Sequence, residues 1–350
     1  MLEINFTHSF FPRQNCQYTM EQGYGFAMST EASINEDLRD SWPGEYFTPA
    51  IPTFLIDVPH GNYIITVTVR SHFRDSTIMV KEGLGHVKVY REKVYAGETV
   101  KKEFSVHVDD GQIKLAFWGE ALDIHQIDVT RSAMIPTIYL VGDSTVTDQA
   151  SGKYPYSGWG QMIGFFIGKS VAISNHARSG RSSKSFINEG RLNQIAKMMR
   201  KRDYLFLQFA HNDEKDNEGG TDAFSTYQDY LNRYISLARS KKAVPVLISP
   251  MHRRFFQKDG TIENTHGDYI KSMQQLSVRE NVPYIDLATL SKEYFEKLGS
   301  ERTKDIFFWA KPGQYKNHPE GAEDNTHFTE YGAMEVAKLV ARRIEELDLL

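Results

Sequence analysis

The stretch TIYLVGDST, residues 137–145, decides the fold. Its first five residues are β-branched, aromatic or aliphatic, a run of strand length with the composition of a strand covered on both faces. A glycine, an acid and two hydroxyls follow. In an open α/β sheet, ligands bind beyond the carboxyl ends of the strands, so a serine at this point stands exposed above the sheet. Working downstream, apolar strand, loop and amphipathic helix alternate repeatedly. Strands are expected at 137–141, 171–175, 204–209, 244–248 and 283–285. Helices are expected at 191–200, 224–241, 268–280 and 331–347, where apolar residues recur at spacings of three and four. Such alternation predicts a parallel sheet with crossover helices, an α/β domain.

Upstream, the pattern changes character near residue 132. Short alternating segments at 63–69, 77–80, 101–108 and 113–118 are separated by Gly, Asp and Asn turns such as His60-Gly61-Asn62 and Asp109-Asp110-Gly111. Strands at that spacing predict a β-sandwich. We therefore expect two domains, 1–132 and 133–350, which suits a chain of 350 residues. Hydrophobic residues at 40% and charged residues at 25% fit a folded globular protein rather than a disordered one.

A formal net charge of −4 offers no general attraction to phosphate backbones or anionic membranes, so nucleic acid and membrane are not expected partners. No apolar run of bilayer length occurs. The start, MLEINFTHSFFPRQN, lacks a basic segment followed by an apolar one, and the single cysteine, Cys16, fits a reducing compartment. Both point to the cytoplasm; a signal removed beforehand would leave the same picture and a secreted protein. Cys16 has no evident activating partner, so an inert thiol is expected.

The loops after the predicted strands hold the chemistry. Ser144 follows the first, although a serine there also suits a helix cap. After the second comes NHARSGRS, 175–182, where Gly180 lets backbone approach a ligand and aim an N–H at a developing oxyanion; by itself it is a turn. The third runs into QFAHND, 208–213, in which Asn212 carries a side-chain amide suited to an oxyanion hole, or equally to an Asx turn. Asp324-Asn325-Thr326-His327 forms a loop before the last helix, where the carboxylate can orient the imidazole. A capping Asp with an incidental His is the other reading. Four loops at one sheet edge thus supply a hydroxyl, a backbone donor, an amide donor and an Asp/His pair, which together make an acyl-transfer set. Ser144 is the expected nucleophile, with Asp324 and His327 completing a triad.

The blocks GDST at 142–145, the Gly180 loop, HND at 211–213 and DNTHF at 324–328 resemble, in order and spacing, those of the SGNH (GDSL-type) hydrolase superfamily. GDSTV, GWGQ at 158–161, NHARSGRSSKSF at 175–186 and QFAHND resemble its rhamnogalacturonan acetylesterase branch, carbohydrate esterase family 12. The resemblance spans about 136–347. It implies a flavodoxin-like three-layer domain and deacetylation through an acyl-enzyme without cofactor. In that scheme Ser144 is nucleophile, His327 base and Asp324 its orienter, while the Ser144 and Gly180 N–H groups and the Asn212 side chain form the oxyanion hole. The upstream segment resembles galactose-binding-like sandwiches.

The expected substrate is acetylated carbohydrate, foremost rhamnogalacturonan or pectin-derived oligosaccharides; acetyl-xylan, small acetylated sugars, or a non-catalytic carbohydrate-binding role are the alternatives. Asp143 and the basic residues Arg178, Arg181, His252, Arg253 and Arg254 lie in or near the site loops, where cationic donors suit a uronate carboxylate. Tyr156 and Trp159 suit stacking on a sugar ring, or the core. His318, Asp324 and His327 are close enough in sequence to suggest zinc, but a metal site leaves the Ser, Gly and Asn blocks without a role, so none is expected.

Overall fold

The computed structural model describes residues 7–12, 16–27, 53–83, 85–119, 122–149 and 153–350. The chain divides into two compact units, Met1–Thr137 with Gly164–Ile173, and Ile138–Ile163 with Ser174–Leu350.

The first unit holds β1 (Thr7–Phe10), β2 (Tyr24–Phe26), β3 (Thr53–Asp57), β4 (Gly61–Ser71), β5 (Ser76–Glu82), β6 (His86–Val94), β7 (Thr99–Val108), β8 (Gln112–Trp118) and β9 (Leu122–Arg131). They form two sheets, ordered β1-β9-β4-β7 and β2-β3-β8-β5-β6, with antiparallel pairing. Strand period puts alternate residues on one face. Ile65, Val67, Val106 and Val129 from one sheet share a buried cluster with Phe54, Val80, Leu115 and Phe117 from the other. Each such fully buried side chain contributes about 1.5–3 kcal/mol of transfer free energy. Gly111 makes the expected turn at φ 84°. Asn62, expected in a turn, is instead a buried residue of β4, its side chain donating to the Ile135 carbonyl at 2.8 Å. Cys16 is a half-buried free thiol.

The second unit is built on β10 (Thr137–Gly142), β12 (Ala172–Asn175), β13 (Tyr204–Gln208), β14 (Val244–Ile248) and β15 (Tyr284–Ile285), with a two-residue β11 (Tyr156–Ser157) between the first two. The five-stranded sheet runs β12-β10-β13-β14-β15, and β10, β13, β14 and β15 pair in parallel. In chain order this is 2-1-3-4-5, the flavodoxin-like arrangement, whose crevice opens where the order reverses, beside β10 and β13. Those strands carry Ser144 and Asn212 at their ends.

The helices are α1 (Ile163–Ile167), α2 (Ser183–Asn188), α3 (Arg191–Met198), α4 (Gln228–Ser240), α5 (Tyr269–Glu280), α6 (Leu287–Arg302) and α7 (Glu330–Glu346). Tyr139, Val141, Leu205 and Leu207 pack with Phe186, Ile195, Leu231, Ile235 and Met273 from α2, α3, α4 and α5. Their strand neighbours Ile138, Leu140, Phe206 and Val246, on the opposite face by strand period, are buried as well. The helix predicted from 224 begins with a π turn at Ala223–Tyr227 before α4. The larger departure is a second sheet, β11-β17-β16, built from β16 (Phe307–Ala310) and β17 (Ala322–Thr329). Asp324 and His327 therefore sit on a strand, not in the loop expected of so polar a segment. Thr329 caps α7, its hydroxyl accepting from Gly332 N–H at 3.0 Å.

Candidate active site

At the end of β10 the chain turns against β13 so closely that a Cβ on Gly142 would fall 2.7 Å from the Gln208 carbonyl oxygen and 2.7 Å from the Val146 side chain. Beyond it, Asp143 Oδ1 accepts from Thr145 N–H at 2.9 Å and Thr145 Oγ1 at 2.8 Å. The Asp143 carbonyl accepts from the N–H groups of Val146 and Thr147. Gln208 Nε2 donates to Thr145 Oγ1, and Trp159 Nε1 donates to Gln208 Oε1, both at 2.7 Å. This buried network holds the turn and leaves Ser144, between Asp143 and Thr145, partly accessible.

Ser144 Oγ lies 2.8 Å from His327 Nε2. His327 Nδ1 lies 2.8 Å from Asp324 Oδ2, while Asp324 Oδ1 accepts from the N–H groups of Thr326 at 2.7 Å and His327 at 2.9 Å. A carboxylate accepts only, so the facing Nδ1 carries the proton and Nε2 presents its lone pair to the serine hydroxyl. Burial alone would raise the Asp324 carboxyl, but the His327 side chain and the two backbone donors outweigh it and hold it at about 2.

Tyr156 also reaches this carboxylate, its hydroxyl donating to Asp324 Oδ2 at 3.1 Å. Its ring meets that of His327 edge-on, with centroids 5.6 Å apart. Burial, followed by the neighbouring Asp324 charge, pushes the phenol up and keeps it a donor. Tyr156, which the sequence left between sugar stacking and the core, thus braces the Asp/His pair. The sequence signal was there, since a tyrosine can donate where phenylalanine cannot, but its partner is 168 positions away.

The other two loops converge nearby. Gly180 adopts φ +78°, with no atom within 4 Å of where a Cβ would stand, so its requirement is conformational. Asn212 Nδ2 donates to the Arg181 carbonyl at 3.1 Å, tying the third loop to the second. Asp213 makes a further tie: its buried carboxylate accepts from Ser183 N–H at 3.0 Å and from the Ser183 hydroxyl. Burial, offset in part by those donors, pushes Asp213 up to about 7. A cavity of about 330 Å³ opens beside Gly180, Arg181, Ser182, Asn212 and Lys215.

The residues assigned to substrate fare differently. Asp143 is completely buried and spends its carboxylate on the turn, so it is not a surface contact. Arg181 lines the cavity but pairs with Glu189 at 2.9 Å. Arg178 is half-buried, and its N–H donates to the Gly142 carbonyl at 3.0 Å, joining the first two loops. Beyond β14 the basic residues turn inward. His252 is 5% exposed, and burial followed by the neighbouring His266 lowers it to about 4. Arg253 pairs with Glu214, which also accepts from His266 at 2.8 Å. Arg254 is buried, its guanidinium 4.5 Å from the Trp309 ring centroid and its Nη1 donating to Asn325 at 3.2 Å. These three are committed within the protein instead of presenting free cations, and Arg254 braces the Asp324 strand through Asn325. Trp159 is core, and the His318 ring meets that of Phe308 with centroids 4.7 Å apart.

The sequence profile of the family described as GDSL-like lipase/acylhydrolase matches residues 138–340, the segment that carries every residue above. The chain belongs to that family. A GDSL-like acylhydrolase hydrolyses carboxylic esters, which is the chemistry a Ser–His–Asp arrangement performs. The chain is 46% identical over 212 residues to rhamnogalacturonan acetylesterase RhgT of Bacillus subtilis (strain 168), covering 61% of this chain and 90% of that protein. It is 28% identical over 318 residues to the uncharacterized esterase YxiM of the same organism, covering 84% and 79%. The crystal structure of protein YxiM superposes with a TM-score of 0.56 at 22% identity over 98% of this chain and 99% of that one, a likeness of fold that takes in both units.

Proposed function

We propose that this GDSL-like hydrolase is a serine esterase that removes acetyl groups from carbohydrate, foremost from rhamnogalacturonan or pectin-derived oligosaccharides. The observation that carries the proposal is the continuous hydrogen-bonded path from Ser144 through His327 to Asp324 at the carboxyl edge of the sheet. The choice of substrate is supported by 46% identity to a rhamnogalacturonan acetylesterase.

In this mechanism Ser144 Oγ attacks the acetyl carbonyl carbon while His327 Nε2 takes the hydroxyl proton, and Asp324 stabilises the resulting imidazolium. Negative charge on the carbonyl oxygen is met by the N–H groups of Ser144 and Gly180 and the amide of Asn212. His327 returns the proton to the departing sugar oxygen, leaving acetyl-Ser144. Water, deprotonated by the same imidazole, attacks that ester and releases acetate and free serine.

The first unit, with its two antiparallel sheets around one cluster, is read as a β-sandwich accessory domain of galactose-binding-like architecture. Acetate release from a panel of acetylated pectin, xylan and small-sugar esters tests the substrate. Preferred turnover of the pectic esters is expected; equal or better turnover of acetyl-xylan would replace the pectic assignment, and none on any ester would overturn the esterase itself.

A further inference from the structure

One cation at the site has no part in the mechanism above. Lys215 is exposed, yet its Nζ lies 2.7 Å from Asn212 Oδ1 and it lines the cavity beside Gly180. An amide has two donor hydrogens and one acceptor oxygen, and a misoriented amide would aim its oxygen at a developing oxyanion. Here both possible errors are blocked. An ammonium can only donate, so it must face Oδ1; the Arg181 carbonyl can only accept, so it must face Nδ2, at 3.1 Å. Two partners of opposite kind fix the amide, and one N–H remains uncommitted to either. The positive charge also withdraws density from the amide oxygen, which strengthens the remaining donor.

We propose that Lys215 is a positioning residue for the oxyanion amide, acting on the reaction only through Asn212. The inference rests on the oxyanion role proposed for Asn212. An exposed lysine with no such task would be replaceable without effect on turnover. A lysine that touched substrate would instead change KM.

The test is a double-mutant cycle in the full chain, with kcat and KM measured on a small aryl acetate and on acetylated pectin. Lys215→Met is expected to lower kcat about fivefold to tenfold, with KM within about twofold and an unchanged melting temperature. Lys215→Arg, which keeps a donor-only cation, is expected to recover most of that loss. In an Asn212→Ala background, Lys215→Met is expected to cost less than about twofold, because the group it positions is gone. An unchanged kcat in Lys215→Met, or the same fold loss in both backgrounds, overturns the inference while leaving Asn212 in the site. Unchanged kcat in Asn212→Ala alone removes the oxyanion role of Asn212, and the inference with it.

Discussion

His327 Nε2 lies within 2.8 Å of Ser144 Oγ although 183 positions separate the two residues. The serine lies in the turn just after β10 of the parallel sheet; the histidine stands on β17 of the small second sheet. Their meeting sets the hydroxyl of a tight turn against an imidazole whose tautomer is fixed on its far side by Asp324, the arrangement on which the proposed nucleophile depends.

Ser144→Ala should abolish acetate release with the melting temperature unchanged. Asp324→Asn should lower kcat by about 10³ to 10⁴, since an amide can donate to Nδ1 and so present Nε2 as a donor toward the serine. The wild-type Asp324 carboxyl, held at about 2, contributes its favourable interactions above the ordinary carboxylate range and loses them only as pH falls through about 2. Denaturation followed into acid checks this: wild type should lose stability relative to Asp324→Asn only below the ordinary carboxylate range, and a relative loss already complete within that range would contradict a carboxyl held at about 2.

Asn212→Ala should lower kcat by about 10² to 10³ at nearly constant KM, the range for removing one oxyanion donor. Steady-state kinetics on an aryl acetate decide it; an unchanged kcat would take Asn212 out of the site.

Tyr156→Phe removes one of the two donors to Asp324 Oδ2 without altering ring packing against His327. A loss of about threefold to tenfold in kcat is expected, the size of one net hydrogen bond. Were Tyr156 a sugar platform instead, Phe would turn over normally and Tyr156→Ala would raise KM.

Arg253→Met should lower stability by about 1–3 kcal/mol, because the partly buried Glu214 loses its guanidinium partner and keeps His266. Chemical denaturation measures the loss. A raised KM with unaltered stability would restore Arg253 to the substrate.

Asp213, at about 7 when folded and near 3.8 otherwise, binds its proton more tightly in the native state. Its contribution to stability is complete below 3.8 and is lost as pH rises through 7. Asp213→Asn lacks this titration. The melting-temperature difference, wild type minus variant, should therefore shrink between pH 5 and 8, and a difference that stayed flat or grew would show an ionised Asp213 throughout.

Much of this protein is determined by local sequence. The apolar runs at 137–141, 204–209 and 244–248 specify buried parallel strands whatever surrounds them, and the polar residues that end them mark the edge where ligands bind. Ser144, Gly180, Asn212, Asp324 and His327 stand out as candidates for that reason, each following a strand signal or forming an i, i+3 pair, and folding joins Ser144, His327 and Asp324 in one hydrogen-bonded path. What only the tertiary structure decided is which polar groups face one another. The segment AEDNTHFT has no strand pattern of its own and becomes β17 by pairing with β11 and β16. Asp143, His252, Arg253 and Arg254 look in sequence like contacts for a ligand, yet folding turns Asp143 to Thr145, His252 to His266, Arg253 to Glu214, and Arg254 to Asn325 and Trp309. Tyr156 and Lys215 look like an ordinary aromatic and an ordinary solvated lysine, yet folding sets them on Asp324 and Asn212. Apolar periodicity is a property of neighbours along the chain and can be read there; a hydrogen bond depends on a partner whose distance in sequence carries no signal, so only the packed structure assigns it.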